Sequence, residues 1–290
     1  MPKIALDPTP FHHDLSLLEF PRKVAELGYE YLQLTPHKDF IPFYTHPKAD
    51  DELVDAFAAA AKDAGVQVAS VLPVLRWSGP DRETREAAVK KWKRVIEITK
   101  RLGVDTINTE FSGRPERAEE SEDQFYWAME ELLPIIEASD LRVLIDPHPD
   151  DFVEDGLEAL RVIRGLNSKH VGFVYVACHT FHYGGNMDEI IDAAGDSLQL
   201  IHVADAYDHK RSHGLRYISN PPGNTARVHQ HLPIGQADVD FDAFWAALDR
   251  VGFSAREDTV AVSSVFAEDE NADAVSRFQL AEITKGLGQQ

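Results

Sequence analysis

The chain has 290 residues and 43% hydrophobic content, enough for one large α/β barrel or two ordinary domains. Its 49 acids against 29 bases leave a net charge of −20, which opposes nucleic-acid binding because phosphate contacts need a basic footprint. The single cysteine, Cys178, rules out an intramolecular disulfide, and no stretch approaches the roughly 18 apolar residues of a membrane helix. The start, "MPKIALDPTPFHHD", carries neither a basic n-region nor an apolar h-region, so a cytoplasmic location is expected.

Short β-rich runs alternate with longer amphipathic ones. "KIALD" leads into "LLEFPRKVAELG", whose helical periodicity stops at Gly28. "YEYLQLTPH" is followed by "DELVDAFAAAAKDAG", and "VQVASVLPVL" by the long "DRETREAAVKKWKRVIEITKRLG". "DTINTEF" precedes "EDQFYWAMEELLPIIEAS", and "LRVLIDPHPD" precedes "GLEALRVIRGL". A sixth strand, "VGFVYVACHTFH", gives way to "MDEIIDAAG", and a seventh, "LQLIHVAD", to "DFDAFWAALDRVG". "DTVAVSSVF" and "DAVSRFQLAEITKGL" close the series. Eight βα units in this length predict a single-domain (β/α)8 TIM barrel over residues 1–290. The rhythm breaks once, in the 30 residues "AYDHKRSHGLRYISNPPGNTARVHQHLPIG" after the seventh strand. A loop that long inside a barrel is expected to bind or cover a ligand.

Catalytic groups of such barrels stand at the C-terminal ends of the strands. There the sequence places Asp7, Gln33, His37, Arg76, Trp77, Asn108, Glu110, Asp146, His148, His179, His182, His202 and Asp205, with His209, His213, His229 and His231 in the long loop. Taken singly, each has an ordinary explanation. Asp7 before Pro8 reads as a turn, "DPHPDD" as a helix-capping turn, and Cys178 as a small buried side chain. Taken together, acids and imidazoles from different strands of one barrel mouth are the donors that a divalent Mn, Fe, Co or Zn ion takes.

These residues give the chain a resemblance, over nearly its full length, to the xylose-isomerase-like barrels of the sugar phosphate isomerase/epimerase group. In the epimerases of that group a metal is held by a Glu ending strand 5, an Asp ending strand 6, a His ending strand 7 and a Glu on strand 8. Carried onto this sequence, the resemblance makes Asp146 in "LIDPHPDDF", His179 in "HTFH" and His202 in "IHVAD" the metal ligands. His182 becomes a substrate-facing histidine, and His231 in "HLPIG" matches a histidine that ligates metal in the endonuclease branch. Two departures stand out: His179 replaces an acid, and "VAVSSVF" offers Ser263 and Ser264 where the strand-8 glutamate belongs. Glu110 on the fourth strand is our substitute for that missing carboxylate.

The resemblance is nearest to inositol-catabolism isomerase/epimerase-like proteins, through "GLRYISNPPGNTARVHQHLPIG". It implies proton removal next to the carbonyl of a keto-sugar or keto-inositol, with a divalent metal, manganese first and Zn, Co, Fe or Mg as alternatives. His148 and His182 are the expected bases, since histidine titrates near neutral pH. Asp7, Arg76, Arg227 and His231 are expected to contact substrate, and Arg216 is a further candidate. The alternative is a lyase that cleaves 3-keto glycosides by elimination, as the related C-glycoside deglycosidase alpha subunits do. That reading brings a small β-sandwich partner subunit, whereas the isomerase reading brings at most a homo-oligomer. An endonuclease on the same fold is opposed by the charge.

Overall fold

A computed structural model describes residues 1–184, 186–210, 231–266 and 271–289. Strands and helices alternate in it throughout. The first four pairs are β1 (Lys3–Leu6) and α1 (Phe20–Glu26), β2 (Tyr31–Leu34) and α2 (Asp51–Ala64), β3 (Gln67–Val71) and α3 (Arg82–Arg101), and β4 (Thr106–Glu110) and α4 (Ala118–Ala138). The last four are β5 (Arg142–Asp146) and α5 (Gly156–Gly165), β6 (Val171–Val176) and α6 (Met187–Ala194), β7 (Leu198–Val203) and α7 (Phe241–Arg250), and β8 (Val260–Ser263) and α8 (Ala272–Gly286). The strands follow one another in order and close, with β1 pairing in parallel to β8, so the (β/α)8 barrel expected from the sequence is the fold observed.

Local chemistry sets the boundaries. Asp81 caps α3 by accepting from Thr84 N at 2.9 Å, and Lys100 and Arg101 sit in its last turn, where cations favour the helix dipole. Asp155 caps α5 through Leu157 N and Glu158 N, both at 2.9 Å. Strands β6 and β8 are buried at every position, as expected for a parallel sheet covered by helices.

Several strands are shorter than the apolar runs that announced them. β3 stops at Val71, just before Pro73, a residue with no N–H to give a ladder. β6 stops at Val176, and Ala177–His179 form a 3-10 turn instead of continuing the strand. α4 begins earlier than its periodicity implied, at Ala118, and runs through Pro134.

Two compact units can be distinguished, each with its own core. The unit formed by Met1–Leu34, Ala59–Ala69 and Tyr175–Gln290 buries Phe20, Tyr175, Tyr183, Phe244 and Phe253, with Tyr175 edge-on to Tyr183 at 5.2 Å. The unit formed by Thr35–Ala58 and Ser70–Val174 is built on an aromatic cluster. In that cluster Trp77 stacks on Trp92 at 4.3 Å and meets Phe125 edge-on at 5.4 Å, while Phe111 meets Phe125 at 5.1 Å and Phe152 at 5.3 Å. No helix among the described residues is long and apolar enough to cross a membrane.

Candidate functional site

The first unit carries the histidines. After β6 the chain tightens into the 3-10 turn, held by Thr180, whose N–H and hydroxyl both donate to Ala177 O at 3.0 and 2.6 Å. It then folds back, with His182 N and Tyr183 N donating to His179 O at 2.8 and 3.1 Å. The Tyr183 hydroxyl accepts from Val176 N and faces His179 Nδ1, each at 3.3 Å. His231 arrives from the segment after the seventh strand, which is anchored by an antiparallel bridge between Asp205 and Leu232. Its ring stacks on Phe266 at 4.2 Å and lies edge-on to His179 at 5.8 Å.

The tautomer of His231 follows from its partner. Nδ1 lies 2.7 Å from Ser264 O, and a carbonyl oxygen only accepts, so Nδ1 bears a hydrogen. The donor atoms of Cys178, His179 and His231 all lie within 4.8 Å of one another. His202, on β7, is buried in the same unit; burial and the neighbouring His231 push its pKa down to about 3, which keeps the imidazole neutral. Buried imidazoles, one of them oriented by a backbone carbonyl, are donors of the kind that transition-metal and zinc sites use. His182 sits at the edge of this group, half-buried, its ring 6.4 Å from His179 and stacked on His209 at 4.0 Å.

The second unit carries the acids. Glu110 and Asp146 end β4 and β5 and are register partners, so both carboxylates leave the sheet at one level. Asn108 donates to Asp146 Oδ1 at 3.3 Å. Burial, and then the charge of Glu110, raise the Asp146 pKa well above the usual carboxylate range. His148 Nδ1 is 2.8 Å from Pro149 O and so carries its hydrogen there, leaving Nε2 directed at Glu110 Oε1, 3.6 Å away. Burial works against a charged His148, but Glu110, Asp146 and Asp151 outweigh it and hold the pKa above the ordinary value. Asp151 is buried in the same unit and accepts from Ser112 N and Gly113 N at 2.5 Å and from Phe152 N at 2.7 Å. Burial and the charge of Glu110 move its pKa up to about 6 against those hydrogen bonds. Trp77 Nε1 donates to Glu110 O at 3.0 Å, which ties the aromatic core to the end of β4.

The structure thus groups Glu110, Asp146 and His148 in one unit, and His179, His202 and His231 in the other. Asp7, in the histidine-bearing unit, accepts through Oδ1 from Thr9 N and Thr9 Oγ1 at 2.9 and 2.6 Å, the turn that the Asp-Pro pair also allowed. The Arg76 guanidinium lies 4.2 Å over the Tyr44 ring, half-buried in the acid-bearing unit. Arg216 and Arg227, with His213, His229 and most of the long loop, lie outside the described residues.

Three residues carry more than their sequence implied. Cys178 is buried, as expected of a small apolar side chain, yet its sulfur lies within 4.8 Å of donor atoms of His179 and His231. Asp151 gave no signal beyond the acid run "PDD". Asp205 had been placed on the rim, but its carboxylate is spent on backbone: Oδ1 accepts from Ala206 N and Val239 N at 2.8 and 3.0 Å, and Oδ2 from Gly235 N and Ala237 N at 3.0 and 2.8 Å.

Comparison with known proteins agrees with this architecture. An inosose isomerase of Bacillus velezensis is 22% identical over 231 residues, spanning 78% of this chain and 76% of the relative. The D-psicose 3-epimerase of Clostridium cellulolyticum H10, solved with D-tagatose, superposes with a TM-score of 0.75 at 13% identity, covering 99% of this chain and all (100%) of its own. The IolI protein, solved with a bound zinc atom, superposes with a TM-score of 0.71 at 18% identity over 99% of this chain and 98% of its own. A profile of the family described as "Xylose isomerase-like TIM barrel" matches residues 21–277, and the chain belongs to that family.

Proposed function

We propose that the protein is a divalent-metal-dependent sugar isomerase or epimerase, acting on a keto-sugar or keto-inositol by removing the proton next to its carbonyl. The observation that carries the reading is the convergence of His179 and His231, with His202 held neutral beside them, on donor positions that suit a borderline cation. Such an ion supplies Lewis-acid polarisation of a substrate oxygen. Assigning Asp146 and Glu110 as its carboxylate donors rests on the family resemblance. A buried Asp146 beside Glu110 is costly to ionise, and a nearby cation offsets that cost.

Proton movement falls to this chain's own residues. His148 Nε2 takes the proton, because Nδ1 is committed to Pro149 O and Glu110 stabilises the imidazolium that results. The raised pKa of His148 makes it a stronger base once deprotonated and a ready donor for the return step. His182 is the second acid/base candidate, its half-buried ring held by the stack on His209.

The test is solvent exchange. Protein purified without chelator and assayed for metal by mass spectrometry is incubated in D2O with an inosose and, separately, with ketohexoses. Deuterium should enter at the carbon next to the carbonyl, and His148→Gln should slow that exchange by about 10²–10⁴-fold. Metal-loaded protein that exchanges no proton in any keto-sugar or keto-cyclitol sinks the proposal. A 3-keto glycoside that loses its aglycone instead of exchanging would replace isomerisation with elimination.

A further inference from the structure

We infer that Cys178 is a metal ligand, and that its thiolate, acting with His179 and His231, makes this centre select zinc-class ions over manganese or magnesium. The inference rests on the metal-binding reading above and extends it to which ion is held and why.

The starting point is the end of β6. In a continued strand, successive side chains point to opposite faces, so Cys178 and His179 would diverge. The 3-10 turn over Ala177–His179 removes that alternation. Cys178 Sγ and the nearest donor nitrogens of His179 and His231 then fall within 4.8 Å of one another, and all three residues are buried. A tetrahedral zinc with one sulfur and two nitrogen ligands needs donor separations of about 3.3–3.6 Å, given its bond lengths. The remaining gap of roughly 1 Å is within reach of small side-chain rotations about an incoming ion.

The hydrogen bonds of the two rings bear on which nitrogens would ligate. The Nδ1–H of His231 goes to Ser264 O at 2.7 Å, and Nδ1 of His179 faces the Tyr183 hydroxyl at 3.3 Å, so the two Nε2 atoms are assigned as the ligands. Ligating histidines ordinarily use the ring nitrogen opposite such a bond.

Sulfur then changes the selectivity. Imidazole and carboxylate alone accept the whole series from manganese to zinc, whereas a thiolate favours zinc, cobalt and iron and disfavours manganese and magnesium. On binding, the Cys178 S–H bond breaks, its proton passes to solvent, and the sulfur lone pair forms the bond to the ion. One proton is therefore released by the cysteine for each ion bound. With these three donors a tetrahedral ion keeps its fourth position for one oxygen ligand, a carboxylate or a substrate oxygen.

Cobalt(II) substitution tests this without an activity assay. Chelator-treated full-length protein is titrated with Co(II), and the near-ultraviolet region is watched for an intense thiolate-to-cobalt charge-transfer band. The band should appear with one equivalent of cobalt and vanish in both Cys178→Ser and Cys178→Ala. Zinc affinity, read by competition with a chromophoric chelator, should fall about 10²-fold in each variant, while manganese affinity changes far less. Cobalt bound by the wild type with no such band overturns the role of Cys178 and leaves the metal-binding reading intact. A wild type that takes up no cobalt, zinc or manganese overturns both. Because the wild-type spectrum alone decides the point, a variant that misfolds does not rescue the inference.

Discussion

Asp205 and Leu232 exchange both of their backbone hydrogen bonds, at 2.7 and 2.9 Å, and so fix the residue next to His231 against the end of β7. The Asp205 carboxylate reinforces the bridge by taking four backbone N–H groups from Ala206, Gly235, Ala237 and Val239. Asp205 is thus a positioning residue for the histidine cluster. Asp205→Ala leaves those four donors, two buried and two part-buried, without their acceptor and is expected to cost roughly 3–5 kcal/mol in urea unfolding. Asp205→Asn keeps one acceptor oxygen and should cost less. Both should weaken zinc binding along with stability; an Ala variant as stable as wild type would show that the loop needs no such anchor.

Acid should destabilise the metal-free protein through His202. Its folded pKa of about 3 lies below the ordinary 6.5, so between those values the unfolded chain binds more protons than the folded one. Stability from this group is therefore fully present above about pH 6.5 and is lost as pH falls toward 3, at up to about 1.4 kcal/mol per pH unit. Unfolding of chelator-treated His202→Gln should show a slope shallower by about one proton across that window. An unchanged slope would mean that His202 titrates normally in the folded state.

Gly113 follows β4 at a place with no room for a side chain. A Cβ there would meet Phe152 Cδ1 at 2.3 Å, Ser121 Cβ at 3.0 Å and Asp151 Oδ1 at 3.1 Å. Gly113→Ala should cost about 1–3 kcal/mol and disturb the Asp151 carboxylate that receives the Gly113 N–H. Thermal unfolding reads the first effect. A slower deuterium exchange with unchanged metal content reads the second.

Trp77 supports the same acids from the core. Trp77→Phe keeps an aromatic ring against Trp92 but removes the Nε1–H donated to Glu110 O, and should cost about 1–2 kcal/mol. Trp77→Ala also empties part of the cluster and should cost about 3–5 kcal/mol. Equal costs for the two variants would show that the hydrogen bond, and not the packing, holds the end of β4.

Much of this protein was written in its sequence. Apolar runs too short for helices alternated with amphipathic stretches too long for strands, and eight such repeats in this length leave a closed parallel barrel as the economical solution. The strand ends also announced their chemistry, because Glu110, Asp146, His179 and His202 interrupt or terminate runs that otherwise read as core. What the sequence could not decide was which of these groups meet, since that depends on where each strand stops and how the chain turns next. The apolar run through Cys178 looked like uninterrupted strand, and only the 3-10 turn brings its sulfur to the side of His179 and His231. Likewise, Asp205 is indistinguishable from a ligand as a letter, but its oxygens are occupied by N–H groups that only the folded backbone supplies. A carboxylate's availability is set by the hydrogen bonds it already makes, and those are properties of the tertiary structure.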